Sequence, residues 1–148
     1  MPGDDARLGG VEPWICPECG RPFARPAQGH DCAPGLTIEE YFETGPALER
    51  PIFDAVMRHV RTLGPVYPDP VSVGIFLKNP HKFAELRTMT RWVAIGFSLR
   101  RRAQHPTITR QVVAHGHRYW HVANVAAPEQ LDDELLALLT EAYGAACP

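Results

Sequence analysis

The sequence predicts an α+β domain: one antiparallel sheet of about four to five strands with helices packed on one face, preceded by a small Cys/His-rich knuckle. Three observations carry this. Strand-like alternation fills residues 71 to 125, and its connections are too short for the dozen or more residues a parallel crossover needs. Apolar stripes at helical spacing flank that middle on both sides. Cys16, Cys19, His30 and Cys32 fall close together, and Cys147 is the one cysteine elsewhere.

Residues 1–13, rich in Gly, Asp and Pro, are expected as a disordered leader, residues 14–35 as the knuckle and residues 36–148 as the α+β domain. Pro34-Gly35 marks the boundary. Thr37 with Glu40 three residues on makes a capping box, so a short helix runs through Tyr41 and Phe42 until Gly45-Pro46. A longer helix has Pro51 in its first turn and Ile52, Phe53, Val56, Val60 and Leu63 as its buried stripe. Gly64-Pro65 stops it.

Strands follow. In the first, Val71, Val73, Ile75 and Leu77 alternate with Ser72, Gly74, Phe76 and Lys78. A run from Lys82 to Thr88 comes after Asn79-Pro80. In the clearest strand, Arg91 to Leu99, Val93, Ile95, Phe97 and Leu99 share one face and Trp92, Ala94, Gly96 and Ser98 the other. Thr107 to Ala114 and Arg118 to Val125 complete the meander, joined near Gly116. The last helix starts near Pro128, with acids Glu129, Asp132, Asp133 and Glu134 at its N-terminal end. Leu131, Leu135, Leu138, Leu139 and Ala142 form its stripe, and Gly144 is expected to end it.

Composition narrows the class. A 45% hydrophobic fraction and three tryptophans in 148 residues supply a core, which excludes global disorder. No apolar run approaches the ~18 residues of a membrane span, and no basic start leads into an apolar stretch. A cytoplasmic protein without a membrane partner is expected. Four cysteines, three of them clustered, are too few for a disulfide framework and read as thiolate ligands.

The knuckle cannot bury enough apolar surface to fold alone, with Trp14, Ile15 and Phe23 as its apolar set, so a structural Zn2+ is expected there. Cys16 and Cys19 wrap one ion in a tight turn, and Gly20 lets backbone N–H groups point at sulfur. His30 and Cys32, on alternate positions of an extended segment, reach the same metal. Cys147 offers two alternatives: a disulfide to Cys32, or replacement of His30 as the fourth ligand. Four protein ligands leave no open position for water, so the site reads as structural.

Trp14-Ile15-Cys16-Pro17-Glu18-Cys19-Gly20-Arg21-Pro22-Phe23 and Gln28-Gly29-His30-Asp31-Cys32 open a longer pattern. It continues with Tyr41-Phe42, Ile52-Phe53, Gly64-Pro65-Val66, Lys82-Phe83-Ala84, Leu131-Asp132-Asp133-Glu134-Leu135 and Glu141-Ala142-Tyr143. In this order and spacing, from about residue 14 to 143, the chain resembles the DUF5655 domain family, whose members often begin with a short zinc knuckle. The resemblance implies the fold and the zinc. Related domains beside nuclease-type domains imply a nucleic-acid setting, and no catalytic residues carry over.

The net charge of -2 hides a segregation. Residues 78–110 hold eight Lys/Arg against Glu85 alone, whereas both flanks are acidic. Lys78, Lys82, Arg87, Arg91, Arg100, Arg101 and Arg102, with Trp92 for stacking, are the candidate contacts to nucleic acid, a nucleotide or another phosphorylated ligand. The alternatives are a solvated sheet edge whose arginines prevent edge pairing, and a protein-interaction adaptor docking through the knuckle. His115, His117, Tyr119 and His121 occupy alternate positions and would align as a row on an unbroken strand, which is the one enzymatic alternative. The chain has no phosphate-cradling glycine motif, nucleophile elbow or metalloprotease histidine pattern, and no enzyme activity is expected.

Overall fold

The computed structural model describes residues 12–30 and 37–146. The expected leader, apart from residues 12 and 13, lies outside this range, as do Cys32 and Cys147. The fold is α+β. Strands β1 (Trp14–Ile15) and β2 (Pro22–Phe23) pair as a small ribbon. Helices α1 (Ile38–Glu43) and α2 (Glu49–Val60) follow, then β3 (Tyr67–Val71), β4 (Gly74–Lys78), β5 (Lys82–Thr88), β6 (Val93–Leu99), β7 (Val113–His115), β8 (Arg118–Val125) and helix α3 (Asp133–Ala146). The main sheet has six strands in the order β3-β4-β5-β6-β8-β7, every neighbouring pair antiparallel.

The alternation expected along β6 sets the two faces. Pro70, Ile75, Leu86, Ile95 and Ala123 form one register row across the sheet. Ile75, Leu86, Ile95 and Ala123 are fully buried in the core with Ile52, Phe53, Val56, Met57 and Val60 of α2 and Leu135, Leu138, Leu139 and Ala142 of α3. The adjacent row, Asp69, Phe76, Glu85, Gly96 and Val122, points the other way, onto a face that carries no helix. An irregularity between Leu77 and Lys78 inserts Phe83, whose ring then meets Tyr143 of α3 edge-on at 5.1 Å.

The start of α1 follows its sequence signal. Thr37 and Glu40 close a reciprocal capping box, and Asp132 accepts from the Leu135 N–H at the head of α3. Four expectations shift. The run from Val71 to Leu77 is not one strand but straddles a hairpin, with Val73 exposed in its turn. Tyr67–Val71 is a further strand; Pro68 and Pro70 hid it, yet it sits at the sheet edge, where proline is tolerated. The strand expected over Thr107 to Ala114 shrinks to Val113–His115. Pro128 opens a short 3-10 turn instead of the last helix, and α3 runs through Gly144 to Ala146. Among the described residues no helix is long and apolar enough to cross a membrane.

Candidate metal centre and the open sheet face

The knuckle is a tight hairpin. Gly20, at φ +74°, donates its N–H to the Cys16 carbonyl at 2.8 Å, and the Cys16 N–H reaches the Arg21 carbonyl at 3.1 Å. That turn buries both cysteines side by side. His30 returns to them: its Nε2 lies 3.4 Å from Cys19 Sγ. Donor atoms of Cys16, Cys19 and His30 all fall within 4.8 Å of one another, so the three can hold one metal ion. His30 Nδ1 lies 2.6 Å from the Gln28 carbonyl. A carbonyl only accepts, so Nδ1 carries the proton and Nε2 presents a lone pair toward the thiols. Histidines that ligate metals are oriented by this kind of bond. Phe23 stacks on His30 at 4.1 Å and fixes the ring plane.

The knuckle is clamped to the sheet. Arg21 Nε lies 3.1 Å from Asp69 Oδ1, and its Nη2 lies 3.2 Å from Asp69 Oδ2. Lys78 Nζ donates to the same carboxylate at 2.9 Å and to the Pro22 carbonyl at 2.8 Å, beneath the Phe23 ring. Asp69 is 1% exposed. A buried carboxylate between two cations makes a specific join, because each charge has a partner. Asp69 and Lys78 belong to the helix-free face, so the knuckle covers its β3–β4 end.

The remaining cations of the basic middle are spread along the sheet. Lys82 and Arg87 both grip the buried Glu85, each at 2.9 Å. Arg91 and Trp92 occupy the β5–β6 turn at the start of β6. Arg100, Arg101 and Arg102 follow its end, about 20 Å away for a seven-residue strand. Arg101 forms a two-pronged pair with Glu141. Arg100 and Arg118 both reach the Ala145 carbonyl near the C-terminus of α3, and Arg102 reaches the Val112 carbonyl. Among the described residues Arg91 and Arg110 have no hydrogen bond or ion pair. Lys78, Lys82 and Arg87 share the open face; the eight candidates do not form one cluster.

Residues that sequence reasoning overlooked complete this face. Trp120 lies across Gly96, where a β-carbon would collide with the indole, so the small residue accommodates Trp120. Lys82 Nζ sits over both Phe76 and Trp120, at 4.6 and 5.5 Å from the ring centres. Glu85, Arg87, Met89, Ala94, Gly96, Arg110, Trp120 and Val122 enclose a hollow of about 330 Å³. Trp120 lies on this side because it pairs with Ser98, two residues along β6 from Gly96, and no signal in the chain brings Arg110 to it.

The histidine row is broken. Gly116, at φ +59°, and His117 form the β7–β8 turn, and His121 is fully buried on the core face. His121 Nε2 accepts from the Ala103 N–H at 2.9 Å, Nδ1 donates to the Tyr119 carbonyl, and the ring stacks on Phe97. Burial pushes its pKa below the ordinary imidazole value. His105 pins its loop to α3, with Nε2 2.9 Å from Asp132 Oδ1 and Nδ1 2.7 Å from Thr107 Oγ1. Asp132 is held below the usual carboxylate range by the Leu135 N–H and then by His105.

A family model described as Domain of unknown function (DUF5655) matches residues 38–146. That span covers the α+β domain and begins after the knuckle. No curated protein and no solved structure matches the chain.

Proposed function

The chain belongs to the family described as Domain of unknown function (DUF5655), and on that footing we propose that it is a zinc-binding protein whose Cys16, Cys19, His30 and Cys32 hold one structural ion. The observation that carries this is the convergence of three donor atoms within 4.8 Å, with the His30 lone pair aimed at the thiols. Two or three thiolates with one imidazole suit zinc among the divalent metals. The ion's role is to fix the hairpin that presents Arg21 and Phe23 to the sheet. Cobalt substitution tests it: tetrahedral thiolate coordination gives intense visible d–d bands and a sulfur-to-metal charge-transfer band. Weak, octahedral-type absorption from the cobalt-loaded protein would sink the assignment.

A second reading concerns the body: the open sheet face takes a phosphorylated ligand or nucleic acid. Arg91 and Arg110 support it, as cations with no acidic partner among the described residues. The pairing of Lys78, Lys82, Arg87 and Arg101 with carboxylates narrows it, since a paired cation releases few counterions on binding phosphate. With four cations free of carboxylates among the described residues, Arg91, Arg100, Arg102 and Arg110, the slope of log affinity against log salt on duplex DNA is about -3 to -4, where all eight engaged would give about -7. A salt titration measures this directly, and an absence of any salt-dependent binding to nucleic acids or nucleotides contradicts the reading. An adaptor docking through the knuckle needs an exposed apolar patch at Trp14 and Phe23, and Phe23 is buried against Lys78 and His30.

A further inference from the structure

We propose that the hollow on the open sheet face is a nucleoside monophosphate site, with the base against Trp120 and the phosphate between Arg87 and Arg110. This deepens the phosphorylated-ligand reading and rests on it.

Size, surface and charge each narrow the occupant. About 330 Å³ lies at the lower end of small-ligand sites and suits one nucleotide better than a polymer. One wall is flat and aromatic, because Gly96 lets the Trp120 indole lie down on β6. That indole stays half-buried, and the exposed Met89 thioether lines the same hollow. An aromatic face with a polarizable sulfur nearby favours a planar ring.

The buried Glu85 also lines the hollow. Lys82 takes one of its oxygens and Arg87 the other. Each oxygen keeps a second lone-pair site, which can accept an N–H from the edge of a nucleobase. Lys82, Arg87 and Arg110 stand against this one carboxylate, an excess of two positive charges. A phosphate monoester carries about -1.5 to -2 near neutrality and balances that excess, whereas a single carboxylate on the ligand would not. Arg110 has no partner among the described residues and is free to swing onto the phosphate as a bidentate donor.

The test titrates the full-length protein with adenosine, guanosine, cytidine and uridine 5′-monophosphates, following tryptophan fluorescence and heat. Inorganic phosphate and the free nucleosides are separate arms. At least one monophosphate is expected to bind and quench emission, with phosphate alone and nucleoside alone each weaker by tenfold or more. Loss of one charge-assisted contact in Arg110→Ala should weaken binding by about ten- to a hundredfold. Arg110 is exposed, so this variant folds. Met89→Ala, also at an exposed position, should weaken the monophosphate and leave inorganic phosphate unchanged. The proposal is overturned if no monophosphate binds, if phosphate alone binds equally well, or if Arg110→Ala binds like the wild type. Salt-dependent binding to an oligonucleotide alongside failure of every monophosphate removes the nucleotide site and leaves the broader reading standing. Failure of both removes both.

Discussion

Asp69 shows how much a single side chain can decide. It lies between Pro68 and Pro70 on an edge strand, and its carboxylate is shared by Arg21 of the knuckle and Lys78 of β4. Replacing it with Ala removes the carboxylate from the largely buried Lys78 ammonium and breaks the Arg21–Asp69 pair, and breaking such an arrangement costs about 3–5 kcal/mol. Urea denaturation of Asp69→Ala should show a loss of that order; a loss below about 1 kcal/mol would mean that the pairs are solvated. His121 decides a different property. Its burial lowers its pKa, the Tyr119 carbonyl opposes that, Arg101 and Arg102 add to the lowering, and Glu141 works against it. The folded state therefore resists the proton that the unfolded chain accepts. This residue's contribution is intact above about pH 6.5 and declines as pH falls below it toward the lowered folded value. A His121→Gln variant, though less stable, should lose less stability than wild type between about pH 7 and pH 5.5. An identical loss in both contradicts this role.

At the scale of elements, the two faces of the sheet follow one period and serve different ends. The row that includes Ile95 builds the core, and the row that includes Gly96 builds the open face. Gly96→Ala tests the latter. Its β-carbon has no room beneath Trp120, so the indole must lift or β6 must move, at about 1–3 kcal/mol. Tryptophan emission should shift to longer wavelength as the ring meets water. Unchanged emission and stability would place the indole elsewhere. The helices were legible because caps and stripes are local: the Thr37–Glu40 box and the Ile52-to-Val60 stripe stand as the sequence implies. β3 was not, because two prolines mask an edge strand that β4 and the knuckle complete. The end of α3 was missed for a similar reason. Gly144 signals a stop locally, but Arg100 and Arg118 arrive from the sheet to bind the Ala145 carbonyl, complementing the negative end of the helix.

For the molecule as a whole, the knuckle and the domain meet on the open face. That Cys16 and Cys19 come together was readable from spacing alone, since they flank one tight turn, and with His30 they form a group that could hold a metal ion. Where the knuckle docks was not readable, because Arg21, Asp69 and Lys78 lie far apart in the chain and only the tertiary fold joins them. The same holds for the basic middle. Its charge is plain in the sequence, but its neutralisation by Glu85, Asp69 and Glu141 emerges only when the strands and α3 are assembled. A bound ion would hold the hairpin, the hairpin holds Arg21 and Phe23, and these cover Lys78 and Asp69. The most direct measurement is the zinc content of protein purified without chelator, for wild type and a Cys16→Ser, Cys19→Ser double variant. The account predicts close to one zinc per chain in the wild type and almost none in the variant. A wild-type ratio near zero, or equal zinc in both proteins, would contradict it.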